Sequence, residues 1–281
     1  MKQICASCLN FDVDKVVKSK ELLKPSWLSK TDYVKNFINN HSLTIRLLKK
    51  YNVEMKLNLG KFKSKKILYW ASTEKKTSSP LIHDAKTAYH KFENSGVTKI
   101  SKNGDVVLKF NCPQLYKTKS KMQKNNITFF RHVHFVVEGY NQQWDPQIYT
   151  KIVVCKYKID KFIEEADTGL HVIINALPSE YFAKDHIPNS FNLYYKTIAK
   201  MTSQELHSWF NDVCRIHYPK LHTYIKNKKI SIYEIPIITY CAHDKCNASE
   251  LAVKELMKKG FVNIHEYSGG MKDYRKNFPQ D

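Results

Sequence analysis

No stretch of this 281-residue chain approaches the roughly 18 consecutive apolar residues that a membrane-spanning helix requires. The first residues, MKQICASCLNFDVDK, lack an apolar run ahead of a small-residue cleavage site. Together these absences predict an intracellular, cytoplasmic chain with no signal peptide, no transmembrane segment and no membrane partner. No repeat of fixed period runs through the sequence, which excludes a solenoid or array. An even cysteine count is missing too. Seven cysteines and no sign of export argue against a disulfide framework and predict free thiols. Apolar material is not in short supply: 42% hydrophobic and 12% aromatic residues suffice for real cores and exclude disorder as the default. The length suits two ordinary domains.

The formal charge is +20 and its distribution is uneven. Residues 1–160 hold 30 Lys+Arg against 12 Asp+Glu, a net of +18, whereas residues 161–281 hold 16 against 14, a net of +2. A field of that sign attracts polyanions, so residues 1–160 are expected to meet nucleic acid or an acidic protein partner. The basic, aromatic stretches KFKSKKILYW and LYKTKSKMQKNN can track a phosphate backbone, with Tyr69, Trp70 or Tyr116 stacking on bases. The competing reading is a solvated lysine-rich surface.

Apolar residues over 12–60, among them Val34, Phe37, Ile38, Leu43, Leu47 and Leu48, recur at helix-like intervals with basic faces. From Ser95 to Tyr157 the texture turns strand-like. Asn103-Gly104 is a hairpin signal between VTKISK and VVLKF, and ITFFRHVHFVV and IYTKIVVCKYK supply β-branched and aromatic runs. After Leu170 strands alternate with helices: HVIIN, SEYFAKDH, FNLYY, an amphipathic helix within Ser203–Lys226, PIITY, a helix from Ala248 to Lys259, and VNIHEY. The expectation is a two-domain α+β protein. Residues 1–160 form a mainly β, sandwich-like domain with a basic helical preface, and residues 161–281 form an α/β domain with a parallel sheet.

Within IITYCAHDKCNASELAVKELMKKG, Cys241 stands where a parallel strand ends and a helix begins. Ligands collect at the carboxyl ends of such strands. Loop amides and the helix N-terminus there favour an anion, and the same field is expected to lower a thiol's pKa from about 8.5 toward roughly 4–7. Cys246, five residues on, lies close enough in sequence for a loop disulfide; it reads either as a resolving thiol or as a small apolar residue at the helix start.

Residues 165–281 resemble the rhodanese-like sulfurtransferase family. The resemblance runs through LHVIINALPSEYFAKDHIPNSFNLYY with its His186-Ile187-Pro188-Asn189-Ser190, through the Cys241 loop, and through the closing HEYSGGMKDYRK with Gly269, Gly270 and Tyr274. It implies that Cys241 accepts sulfane sulfur as a persulfide from a donor such as thiosulfate or another persulfide. Ala242, His243, Asp244, Lys245 and Asn247 would form the anion- and sulfur-binding loop, with Cys246 as a second catalytic thiol and no cofactor required. The loop is about two residues longer than the family's usual one, and Asn175-Ala176-Leu177 replaces its aspartate-any-arginine. A non-catalytic docking module fused to a basic nucleic-acid-binding half is the alternative. Phosphatase chemistry is set aside, because no arginine lies between Cys241 and Arg275 to grip phosphoryl oxygens.

Residues 95–155 bear a looser resemblance to the β-sandwich of intradiol ring-cleavage dioxygenases. The likeness implies an iron site, with iron or zinc as the candidate metal, on Tyr116, His132 and His134; Tyr89 is available as a further ligand. Alternate residues of one strand share a face, so His132 and His134 can both reach a metal. Cys5 and Cys8 supply two of the four ligands that a zinc site needs, with His41, His83 or Cys112 available to complete it, or else are structural.

Overall fold

The computed structural model describes residues 13–18, 32–73, 80–120 and 123–279. Cys5 and Cys8, and Leu22 and Leu23 of the helix-like apolar pattern over 12–60, lie outside the described residues. Contacts divide the chain into one compact unit built on residues 12–76 and 82–153 and another built on 154–281. None of the described helices is long and apolar enough to cross a membrane.

The N-terminal unit contains β1 (Val17–Lys18), α1 (Asp32–Asn39), β2 (Val53–Asn58), β3 (Lys66–Ala71), β4 (His83–Asp84), α2 (Ala85–Tyr89), β5 (Ser95–Lys99), β6 (Asp105–Phe110), β7 (Tyr116–Ser120), β8 (Gln123–Phe129), β9 (His132–Val137) and β10 (Tyr149–Ile152). They make an antiparallel sheet in the order β1-β10-β9-β3-β5, a β2-β6 pair, and a β4-β7-β8 sheet. The sandwich expected from the sequence is not confirmed by this arrangement. Trp70, Tyr89, Val97, Tyr116, Phe129 and Val136 share one buried cluster, onto which α1 brings Val34 and Ile38.

Two expectations fail here for identifiable reasons. Leu43, Leu47 and Leu48 are not helical. The segment is irregular instead, with bends at residues 43–44 and 49–50, and Arg46 exchanges two backbone hydrogen bonds with Val97, Arg46 N to Val97 O at 2.9 Å and the return at 2.7 Å. β5 ends its sheet, and this bridge satisfies edge groups that a helix would leave open. Asn103-Gly104 does make a turn, closed by Ser101 N–H donating to Asp105 O at 2.8 Å. The strands flanking it are nevertheless not a hairpin: β5 pairs with β3 and β6 pairs with β2.

The C-terminal unit contains β11 (Cys155–Tyr157), α3 (Ile159–Ala166), β12 (Val172–Asn175), α4 (Ser179–Lys184), β13 (Phe191–Asn192), α5 (Tyr195–Lys200), α6 (Ser203–His217), α7 (Pro219–Lys226), β14 (Ile237–Tyr240), α8 (Ala248–Lys258), β15 (Ile264–Tyr267) and α9 (Gly270–Asn277). Its sheet has the order β11-β15-β14-β12-β13 and every pairing is parallel. The run IYTKIVVCKYK, which reads as one β stretch, is therefore shared: β10 joins the N-terminal sheet and β11 the C-terminal one. All four residues of β12, β14 and β15 are buried, as strands covered on both faces must be. The stretch Ser203–Lys226 holds two helices, because Pro219 has no N–H to continue the first and opens the second. α6 starts on a reciprocal cap, in which Glu205 N–H donates to Thr202 Oγ1 at 3.2 Å and Thr202 N–H to Glu205 Oε2 at 2.6 Å.

Candidate functional site

Cys241 follows the last residue of β14, and residues 241–247 lead into α8. The loop is clamped from below by the start of α9. Met271 N–H donates to Cys241 O at 2.8 Å and Lys272 N–H to Ala242 O at 2.9 Å. That approach needs a glycine at 270. Gly270 has φ +62, and a Cβ on it would lie 2.5 Å from Cys241 O and 2.9 Å from both Ala242 C and His243 N. The His186–Ser190 stretch is held against β14 by Tyr240, whose hydroxyl accepts from Ile187 N–H at 2.9 Å and contacts Ser190 Oγ at 2.8 Å. Asn175 closes β12 with an Asx turn, its Oδ1 accepting from Leu177 N–H at 2.9 Å.

The sulfur itself is buried, with Cys241 only 1% exposed. Its neighbours differ from the amide cradle that the sequence suggests. The Cys241 thiol faces the carbonyl oxygens of Cys246 at 3.3 Å and His243 at 3.8 Å, and Ser249 Oγ at 3.3 Å. Two of the loop amides bond within the loop: Cys246 N–H donates to His243 O at 2.9 Å and Lys245 N–H to His243 Nδ1 at 3.3 Å. Burial, followed by the neighbouring Cys246 thiol, pushes the Cys241 thiol up to about 11, opposed by the Ser249 backbone amide and by the Ser249 hydroxyl where that turns its proton to the sulfur. The expected depression of its pKa is thus reversed, since desolvation disfavours the thiolate more than the helix start favours it. His243, Asp244, Lys245 and Asn247 are exposed, Ala242 and Cys246 half-buried.

Ser249 and Glu266 are functional candidates that sequence reasoning passed over. Ser249 Oγ donates to Glu266 Oε1 at 2.7 Å, and Lys156 Nζ lies 3.1 Å from Glu266 Oε2. A carboxylate within the buried four-residue strand β15 was the signal available in the sequence. On its Asp244 side the loop borders an open basin of about 760 Å³, whose lining includes Lys158, Gly269, Lys272, Arg275 and Lys276. Arg275 is committed to Asp185 through Nε at 3.0 Å and a second, shorter contact.

Cys112 and Cys155 each take part in a disulfide, so the expectation of free thiols holds, among the described residues, only for Cys214, Cys241 and Cys246. A disulfide sulfur is no thiolate ligand, which removes Cys112 from any zinc site. His41 is engaged with Phe37 O at 3.1 Å and Arg46 at 3.0 Å.

In the N-terminal unit, Tyr116, His132 and His134 come together, and Tyr89 joins them. His132 Nε2 lies 2.9 Å from Tyr116 Oη, 3.2 Å from Tyr89 Oη and 3.0 Å from His134 Nε2. His132 Nδ1 sits 2.6 Å from Phe130 O, and His134 Nδ1 2.9 Å from Thr150 Oγ1. Burial lowers the His132 pKa to about 4 and raises that of Tyr89. Among the described residues no three His, Cys, Asp or Glu side chains cluster as metal ligands, so any metal here would depend on the tyrosines.

The C-terminal unit is an α/β fold with a thiol at the carboxyl end of a parallel strand. Residues 158–277 match the model of the rhodanese-like domain. Similar solved structures include an uncharacterized protein of Saccharomyces cerevisiae (20% identity, 44% of this chain and 93% of that one, TM-score 0.32). Others are the S. cerevisiae single-domain sulfurtransferase RDL2 (14%, 45% and 92%, 0.33) and the human single-domain sulfurtransferase TSTD1 (10%, 46% and 100%, 0.31). No curated protein matches the chain. The likeness of residues 95–155 to intradiol dioxygenases finds no support in these comparisons.

Proposed function

We propose that the rhodanese-like domain is a sulfurtransferase that carries sulfane sulfur as a persulfide on Cys241. The observation supporting it is a pair of free thiols, Cys241 and Cys246, in one loop at the carboxyl end of β14, with the Cys241 sulfur 3.3 Å from Cys246 O. With thiosulfate as donor, the Cys241 sulfur attacks the sulfane sulfur and the S–S bond to the sulfonate breaks. Sulfite leaves with the electron pair, and the proton lost by the thiol ends on the new persulfide. Cys246 can then attack the Cys241 sulfur, forming a Cys241–Cys246 disulfide and releasing the outer sulfur, with the Cys246 proton, as hydrogen sulfide. The two thiols are oxidised and the sulfane sulfur is reduced.

Intact-mass measurement after incubation with thiosulfate or a polysulfide tests the reading. The expected result is an adduct of one sulfur atom that Cys241→Ser abolishes and Cys246→Ser retains. A wild-type chain with neither an adduct nor a Cys241–Cys246 disulfide would favour the non-catalytic docking module. Loading of Cys241→Ser at the wild-type rate would place the nucleophile elsewhere.

A second reading, favoured by the N-terminal cluster, is that Tyr89, Tyr116, His132 and His134 hold an iron or zinc ion. A carbonyl only accepts, so His132 Nδ1 carries the proton and Nε2 presents its lone pair to three further donor atoms. One lone pair binds one proton, whereas a cation satisfies all four groups at once. Elemental analysis of untagged protein is expected to find near-stoichiometric metal that His132→Ala with His134→Ala releases. Iron held by tyrosinate would add a visible charge-transfer colour. Metal near zero after iron and zinc supplementation removes the site.

A further inference from the structure

Behind Cys241 runs a buried chain of hydrogen bonds. Glu266 is 2% exposed, and its Oε1 accepts the Ser249 hydroxyl at 2.7 Å. Ser249 is fully buried, and its Oγ stands 3.3 Å from the Cys241 sulfur. A serine hydroxyl has one proton and two lone pairs. With that proton committed to a carboxylate, the Ser249 hydroxyl can offer only a lone pair to the sulfur. The carbonyls of Cys246 and His243 likewise only accept. Three oxygens therefore meet the sulfur as acceptors, an arrangement that suits an S–H group and works against the Ser249 backbone amide, which favours the thiolate. Lys156 Nζ faces the other carboxylate oxygen, 3.1 Å from Glu266 Oε2, and lies 3.9 Å from Glu250 Oε2. The other titratable groups about the sulfur are Cys246 and His243 of the loop.

We propose that Glu266, acting through Ser249, holds Cys241 as a neutral thiol and is a positioning residue of the sulfur site. The direction of the Ser249 hydroxyl is the device. While it points to Glu266 the thiol keeps its proton; turned to the sulfur it would stabilise the thiolate. This deepens the sulfurtransferase reading by setting the resting state of its nucleophile, and it rests on that reading for its purpose.

The test is the rate of Cys241 alkylation by iodoacetamide across pH in the full chain. Peptide mass spectrometry separates Cys241 from Cys246 and reports buried Cys214 as a check of folding. Glu266→Gln weakens the acceptor and is expected to speed Cys241 alkylation at neutral pH about tenfold, equivalent to a thiol pKa about one unit lower. Ser249→Ala removes an S–H acceptor and is also expected to speed it. Glu266→Gln should then add nothing in the Ser249→Ala background, because the influence travels through that hydroxyl. An unchanged rate in Glu266→Gln, a slower rate in Ser249→Ala, or an equal Glu266→Gln effect in both backgrounds each overturns the proposal. If Glu266→Gln exposes Cys214, the direction of the Ser249→Ala change decides alone. No sulfur donor enters this assay, so failed sulfur loading with a positive cycle refutes the sulfurtransferase and leaves the hydrogen-bond device standing.

Discussion

Gly270→Ala and Gly169→Ala form a matched pair that isolates the clamp beneath the thiol loop. Both glycines are left-handed, at φ +62 and +64. Each alanine therefore bears the same backbone strain, about 1–2 kcal/mol. Their surroundings differ completely. A Cβ at Gly169 meets nothing within 4 Å, while one at Gly270 presses on backbone atoms of Cys241, Ala242 and His243 at 2.5–2.9 Å. Backbone cannot swing aside as a side chain does, so overpacking adds about 1–3 kcal/mol. Gly169→Ala should cost about 1–2 kcal/mol and Gly270→Ala about 2–5. The assay is urea unfolding of the full chain, with alkylation of Cys214, 0% exposed in the same unit, as the local reporter. Midpoints convert to free energy if the slope is unchanged. Gly270→Ala should also break the Met271–Cys241 and Lys272–Ala242 hydrogen bonds and raise Cys241 accessibility. Equal costs for the two substitutions would refute the clamp.

Arg275 beside Asp185 holds that carboxyl below the usual 3.8. A depressed folded-state pKa contributes stability that is present above the unfolded value and lost as pH falls through the folded one. Asp185→Asn should therefore lower stability at neutral pH, with the difference from wild type fading below about pH 3.8 in acid titrations; a difference constant with pH would contradict it. Polyanion binding by the full chain should weaken with salt at a log–log slope of about −0.7 to −0.9 per phosphate contact, and Lys61→Glu with Lys63→Glu should reduce both affinity and slope. Salt-independent binding to single-stranded nucleic acid would remove the charge argument.

The parallel C-terminal sheet was legible because its central strands β12 and β14 are short, mainly apolar runs separated by helices, and strand period with turn chemistry is a local property. Cys241 was legible for the same reason: a strand end and a helix start can be seen within a few residues. The protonation of that thiol was not. It depends on which oxygens and amides surround the sulfur, and those come from β15, α8 and the loop's own carbonyls, set by packing across the sheet. Ser249 lies eight residues and Glu266 twenty-five from Cys241, so no local pattern links them. In the N-terminal unit the alternation of His132 and His134 placed both on one face, yet Tyr89 and Tyr116 reach them only because α2 and β7 converge on β9. The Asn103-Gly104 turn shows the division most plainly. Two residues determined that the chain reverses there, but which strands each arm would join was decided by edges and registers elsewhere in the unit.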